Sequence, residues 1–348
     1  MEHRSKPARP HTRRQFLGYG AALGSATTLT SLITVEALAA DAAKINMQLG
    51  WLASNGILGE VVAKRMGFYE EEGIELEVTP GGPGVDGVAS VAAGRAEVGQ
   101  LSSSPSLMLA RSAGIPVKAF AAGYQKHPFT YFSLSGNPIQ SAADMVGKTI
   151  ATQPTAVILL RALLAKNGIA EDQVEIVKMG SDMNQLMTGQ AAAVTGWQTN
   201  TNALKILGDD RVDLMLWDTG IQLYANVYYT TDDMLEDHGD ALTRFLTGSA
   251  RGWGYARENP EAAVDHLVAE YQNLDRASEL DAVGPVLGFS FDGTTAANGW
   301  AAMNRENWQA QIDIYSQLEQ FQGETPTVDD VMTTEILDAT TALRMQIG

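Results

Sequence analysis

The stretch Met66–Val78, MGFYEEEGIELEV, decides the fold, because it closes a helical period and opens an extended one. Upstream of it, Ile57, Leu58, Val61, Val62 and Met66 recur at the spacing of one buried helix face, and Gly67 stands where a left-handed C-cap is needed. Downstream, Ile74-Glu-Leu-Glu-Val78 alternates with the period of a half-buried strand, as Ile45, Met47 and Leu49 do before the helix. Strand, helix and strand follow in order. GGPG (Gly81–Gly84) then breaks the chain, DGVASVAAG (Asp86–Gly94) reads as a short helix, and AEVG (Ala96–Gly99) as a short strand running into Gln100-Leu-Ser-Ser-Ser104.

The order repeats from Gly147. KTIA (Lys148–Ala151) is strand-like, AVILLRALLAKNG (Ala156–Gly168) is helical with Asn167-Gly168 at its end, and VEIV (Val174–Val177) is extended. Ser181 stands where it can cap a short helix, and AAVTGWQTN (Ala192–Asn200) closes the unit. Gly168 lies 101 positions after Gly67 and Gly189 lies 95 after Gly94, a drift that loops absorb. Strands alternating with helices form βαβ units, so each half should build a parallel-rich sheet flanked by helices, an α/β fold of two lobes.

Open α/β sheets bind ligands beyond the carboxyl ends of their strands. Those ends are Trp51–Gly56, Pro80–Gly84 and Gln100–Ser104 in the first half, and Thr152–Thr155 and Gly196–Asn200 in the second. The apolar runs Phe129–Leu134 and Tyr224–Tyr229 read as crossover strands that form a hinge. The expected lobes are therefore 40–128 with 229–348, and 129–228. From Thr231 on, apolar residues fall mostly at helical spacing, with Asn259-Pro260 starting one helix and Gly299–Leu318 holding another; this helical C-terminal region should pad the first lobe.

Five basic residues (Arg4, Lys6, Arg9, Arg13, Arg14) precede the uncharged run Gln15–Val35, which ends near Ala37-Leu-Ala39. The pattern reads as a cleaved export signal over residues 1–39, and the paired arginines of TRRQFLG resemble a twin-arginine signal for periplasmic export. The run could span a bilayer by length, but its Gly, Ser and Thr make a poor permanent anchor. Those 39 residues hold five of the 24 Lys/Arg and two of the 41 Asp/Glu, so the remainder carries a net charge near −20. Such a surface repels nucleic acid and anionic lipid, and neither is expected as a partner. With no cysteine in the chain, disulfides, thiolate metal sites and cysteine nucleophiles are excluded.

The blocks VVAKRMGFYEEEGIELEV (Val61–Val78), GRAEVGQLSSS (Gly94–Ser104), ARSAGIPVKAFAA (Ala110–Ala122) and NPEAAVDHLV (Asn259–Val268) resemble the periplasmic solute-binding proteins of ABC importers. The branch is the one serving nitrate, taurine, alkanesulfonates and thiamine-pyrimidine precursors. The likeness runs from Ile45 to about Tyr271. It implies a type II periplasmic-binding-protein fold, a hinge-closing monomer, and a membrane permease and ATPase as partners. A thiamine-pyrimidine synthase shares this fold. Its pyridoxal-phosphate lysine and its consumed histidine align with Ser102 and Ser106 here, and its Cys-rich motif has no counterpart. A Schiff base needs an amine that this loop lacks, so no cofactor and no enzyme activity are expected.

Ser102, Ser103 and Ser104 are the residues most open to several readings. A hydrolase would need a base and an orienting acid within reach, yet His127, His238 and His266 are the only histidines after residue 40, and no Gly-x-Ser-x-Gly elbow occurs. One of the three serines should cap the following helix, whose N-terminus also favours polar or anionic ligand atoms. Trp51 and Trp197 fall in corresponding strand-end loops among polar neighbours, placed to sandwich a flat ring. Asn55, Gln100, Gln153, Gln198 and Asn226 could read a ring edge, with Gly82, Phe129 and Thr155 completing the expected site. No Lys or Arg falls in these loops, which favours a neutral or weakly charged heterocycle over nitrate or a sulfonate, a sulfonate at a helix end being the alternative. His127, before Pro128, reads as hinge packing. Glu70–Glu72 lack histidine partners for a metal, and GGPG lacks the Lys-Ser/Thr of a phosphate loop.

Overall fold

The computed structural model describes residues 42–82 and 84–348; the expected signal at 1–39 lies outside the described residues. Ten strands form two five-stranded sheets. The first holds β1 (Ala43–Leu49), β2 (Ile74–Thr79), β3 (Val98–Leu101) and β4 (Val117–Tyr124). The second holds β5 (Phe129–Leu134), β6 (Thr149–Thr152), β7 (Glu175–Lys178), β8 (Ala193–Trp197) and β9 (Arg211–Met215). The last strand, β10 (Ala225–Thr231), returns to the first sheet. The orders are β2-β1-β3-β10-β4 and β7-β6-β8-β5-β9. In each, three parallel strands meet an antiparallel fourth: β10 runs against β3 and β4, and β5 against β8 and β9. The duplication expected from the sequence is thus a duplication of topology, and the fold is the two-lobe α/β arrangement.

The connections are helical. In chain order the first lobe supplies α1 (Leu58–Arg65), α2 (Phe68–Glu71), α3 (Gly87–Ala92) and α4 (Ser104–Ser112). The second supplies α5 (Val157–Lys166), α6 (Asn184–Met187) and α7 (Thr201–Leu204). The tail adds α8 (Asp232–Glu258), α9 (Pro260–Glu270), α10 (Arg276–Ser290), α11 (Gly293–Asn298) and α12 (Arg305–Gln317). Among the described residues no helix is long and apolar enough to cross a membrane.

Two expectations are corrected here. The runs read as hinge strands do not cross between lobes. Phe129–Tyr131 pair inside the second sheet, and residues 225–228, expected in the second lobe, are paired in the first. The chain crosses instead at 125–128 and at 216–224. The cause is burial on both faces: Val227, Tyr228 and Tyr229 are all within 1% of full burial, so β10 carries no polar alternation to mark it as a sheet strand. Second, Gly299–Asn304 is not helical. It holds a turn at Trp300–Ala301, with Ala301 at φ +62° and its carbonyl accepting from the Ala122 amide, and the helix begins only at Arg305.

The core of the first lobe explains how the tail is held. Glycines let α1 and α8 cross at backbone distance, since a Cβ on Gly252 would stand 2.0 Å from the Gly59 carbonyl oxygen. Trp253, one residue on, stacks against Trp300 at 5.9 Å and donates Nε1–H to Glu60 at 3.1 Å. Tyr228 also donates to that fully buried carboxyl group, whose second oxygen has no partner among the described residues. Burial pushes the Glu60 pKa up to about 7, against the pull of these donors. The tail is more than padding for one lobe: α10 packs on α9 and β4 but also touches α7 of the second lobe.

Candidate functional site

Loops at the carboxyl ends of both sheets converge on one cavity of about 530 Å³, within the range of small-molecule sites. Trp51, Asn55, Gln100, Ser102, Ser103, Phe129, Gln153, Thr155, Trp197 and Asn226 all line it. Trp51 follows β1, while Trp197 ends β8. The two indoles therefore do not occupy corresponding loops as the sequence suggested, since β1 matches β6 in the topology and β8 matches β3. They share a cavity because the two lobes present their strand ends to one another. Trp197 is backed by Tyr124 at 5.9 Å and by the edge of His127 at 5.5 Å, so its position is set by the hinge region.

Three expected residues are not on the wall. Gly82, at φ +149°, sits behind Leu52, where only a glycine holds the loop easily. Ser104 is fully buried on the far side of its turn; its hydroxyl donates to Gln311 of α12 and accepts from the Tyr224 amide. Gln198 opens the turn that follows β8, and its amide N–H donates to the Pro128 carbonyl.

The amides mostly pin backbone. Asn226, at φ +48°, donates to the Gly56 carbonyl at 3.0 Å, and Gln100 reaches the same oxygen at 3.5 Å. Gln153 donates to the Thr195 and Gly180 carbonyls and accepts from the Thr195 hydroxyl. Asn55 donates to Glu279 of α10. These side chains fix the loops that shape the cavity, and each amide keeps spare hydrogen-bonding capacity.

The serines settle differently from the capping expectation. Ser103, a residue of the cavity wall, is the N-cap of α4 but its hydroxyl makes no cap bond, and its buried Oγ has no partner among the described residues. Nor does Ser181 cap α6, whose N-cap is Met183; Ser181 lines the cavity instead. His127 does pack at the crossing, as expected, yet it also lines the cavity. Burial lowers its pKa to about 3, opposed by the Ser102 backbone, so the imidazole is neutral. A single histidine before a proline carries no pattern that would have marked it. Thr199 and Asn200 were within reach of the sequence reading, lying in the quoted GWQTN loop, but nothing in their spacing separated them from their neighbours.

Electrostatically the wall is nearly neutral. Among the described residues it carries no lysine or arginine, and its one carboxylate there, Asp86, accepts from the Ala89 amide at 2.9 Å as the N-cap of α3. Among the described residues no group of His, Asp and Glu is arranged to hold a metal.

Residues 54–263 match the family described as NMT1/THI5 like. The chain is 24% identical over 287 residues to the formylaminopyrimidine-binding protein of Halalkalibacterium halodurans, covering 79% of this chain and 86% of that one. It is 26% identical over 215 residues to the riboflavin-binding protein RibY of Chloroflexus aurantiacus, covering 59% and 61%. Among solved structures, the alkanesulfonate-binding protein SsuA of Xanthomonas axonopodis pv. citri bound to MOPS superposes with a TM-score of 0.64 at 15% identity, covering 85% and 99%. The fold is that of the type II periplasmic binding proteins, and the chain belongs to the NMT1/THI5-like family.

Proposed function

We propose that the protein is the solute-binding component of an ABC importer, working in the periplasm, and that its two lobes close on a planar, uncharged nitrogen heterocycle. The observation that carries this reading is the pairing of Trp51 and Trp197 on a cavity wall without a lysine or arginine. A flat ring between indoles gains burial plus on the order of 1 kcal/mol of stacking for each face. A sulfonate or nitrate would enter a cavity with no cation to meet it, held only by amide and hydroxyl donors. The permease and ATPase of the importer would then read the closed form. The names of the two curated relatives, a formylaminopyrimidine binder and a riboflavin binder, support a ring ligand. No residue on the wall supplies the amine or thiolate on which covalent catalysis would rest.

The test is thermal unfolding of the purified protein against a panel. The panel comprises 4-amino-5-hydroxymethyl-2-methylpyrimidine, riboflavin, taurine and ethanesulfonate. A ligand present at 100 times its Kd stabilises by about 2.7 kcal/mol, a readable shift. A shift with one of the rings and none with the sulfonates is expected. A shift with sulfonates alone would overturn the heterocycle.

A further inference from the structure

Asn55, Gln100 and Asn226 are each more than nine-tenths buried on the cavity wall, and in all three the amide nitrogen is engaged. Asn226 Nδ2–H donates to the Gly56 carbonyl at 3.0 Å, and Gln100 Nε2–H reaches the same oxygen at 3.5 Å. Asn55 Nδ2–H donates to Glu279 at 3.1 Å and reaches the Thr199 carbonyl at 3.5 Å. A carbonyl oxygen accepts and never donates, so it can face only the nitrogen end of an amide. The Tyr228 hydroxyl, whose proton goes to Glu60, also lies beside the Gln100 amide and can only accept from it. The Tyr124 hydroxyl lies beside the Asn226 amide without meeting it in a hydrogen bond. Turning Asn226 over would offer its oxygen to Tyr124, but would set that end of the amide against the Gly56 oxygen as well.

With the nitrogens held, the oxygens are what remains. Asn55 Oδ1, Gln100 Oε1 and Asn226 Oδ1 accept no hydrogen bond from the described residues. None of them belongs to the unpartnered atoms that the protein closes off from solvent, so each stays open where its residue lines the cavity. Gln153 is the contrast: its oxygen is spent on the Thr195 hydroxyl. The three residues come from the turn before α1, from β3 and from β10, and they gather on one peptide unit. Asn55 precedes Gly56 in the chain, and the other two hold the Gly56 carbonyl. Asn226 holds it from a left-handed backbone at φ +48°, a conformation that Asn tolerates better than most residues.

We propose that these three amide oxygens form the specificity patch of the solute site, and that the solute must meet them with N–H or O–H donors along its edge. An amino group on a ring carbon, or a ring N–H beside a hydroxyl, fits the demand. This rests on the reading of the cavity as the solute site and deepens it from ring shape to ring chemistry. A sulfonate or nitrate oxygen brings only lone pairs to such a patch, and the described wall has no lysine or arginine to hold it elsewhere. A ring without donors stacks equally well but leaves the acceptors unmet, and a site built to hydrogen-bond an N–H rejects the analogue that lacks it.

The test pairs each probe with a partner stripped of its donor. Calorimetry compares 4-amino-5-hydroxymethyl-2-methylpyrimidine with the same ring bearing methyl in place of amino, and riboflavin with 3-methylriboflavin. Both pairs are titrated into wild type and Gln100→Met, a variant of matching length whose lost bond to Gly56 is the longer of the two. For the ring that binds, the donor-bearing form should bind wild type about tenfold or more tighter than its partner. In Gln100→Met that gap should narrow by about threefold or more, since one acceptor is gone. A wild-type gap under about twofold overturns the patch, and so does a gap that the variant leaves unchanged. If the variant does not fold, the wild-type comparison decides alone. Without ligand, nuclear Overhauser contacts should run from the Asn226 side-chain amide protons to Gly56 and the Tyr124 ring. Their absence overturns the orientation of the amides whatever the protein binds. Binding of taurine and of neither ring sinks the heterocycle reading, and taurine against N,N,N-trimethyltaurine then judges the patch separately. A protein that takes none of these probes counts against both.

Discussion

Asn55 donates to Glu279 at 3.1 Å, and the same amide nitrogen reaches the Thr199 carbonyl at 3.5 Å. One side chain in a first-lobe loop thus holds both α10 and a loop of the second lobe. Around it the Thr201 hydroxyl reaches the Ser278 carbonyl at 3.4 Å, and Lys205 pairs with Asp281 at 2.6 Å. The helix α10 is therefore the strut on which the second lobe rests, and the expected hinge strands have no such part.

Asn55→Ala leaves a mostly buried Glu279 carboxylate without this donor. Burial already raises the Glu279 pKa, and the Asn55 bond opposes that rise. Urea unfolding should show a loss of about 1–3 kcal/mol. Lys205→Ala, removing an exposed and well-solvated pair, should lie within about 0.5 kcal/mol of wild type. Equal effects of the two substitutions would contradict the strut.

Glu60 makes stability depend on pH. Its native pKa of about 7 stands above the unfolded value of 4.5, so the folded state keeps a proton that the unfolded chain has lost between those limits. Stability should then fall as the pH rises from 5 to 8, by on the order of 2–4 kcal/mol from this residue. Glu60→Gln should flatten that part of the curve, as read by urea unfolding at pH 5 and pH 8. A variant with the wild-type slope would show that the carboxyl is charged when folded.

The crossing of α1 and α8 tolerates no side chain at its closest point. Gly252→Ala would bring a methyl to 2.0 Å from the Gly59 carbonyl and should cost about 1–3 kcal/mol, seen as a lowered Tm. Gly136→Ala, at a site with nothing within 4 Å, is the control and should change little.

Much of this architecture could be read from the chain because both halves repeat one βαβ order, with Gly67 and Gly168 closing the matching helices at positive φ. What could not be read was β10. Its residues are apolar on both faces, and only pairing with β3 and β4 shows which lobe owns it. Ten of the residues picked by strand-end position line the cavity, but that position could not tell which loop residues turn away from it. Gln198 opens the turn after β8, and Ser104 is the first residue of α4 with its hydroxyl spent on Gln311 and the Tyr224 amide; neither lines the cavity. His127 escaped notice as a wall residue because its place beside Trp197 exists only in three dimensions.

Ser103 and Ser104 are adjacent yet serve different ends. Ser104→Ala breaks the buried link to Gln311 and Tyr224, so stability should drop by about 1–2 kcal/mol with ligand affinity unchanged. Ser103→Ala removes an unpartnered hydroxyl from the cavity wall, so stability should hold while affinity falls. Chemical unfolding and calorimetry on the two variants check the contrast, and the opposite pattern would return the cavity to Ser104.

The central claim is that a ring lies between Trp51 and Trp197, and calorimetric titration of wild type, Trp51→Ala and Trp197→Ala with the pyrimidine and riboflavin tests it most directly. The account predicts tight binding of a ring by wild type and a loss of about tenfold or more in each variant. Ring binding that survives both substitutions undiminished would contradict it.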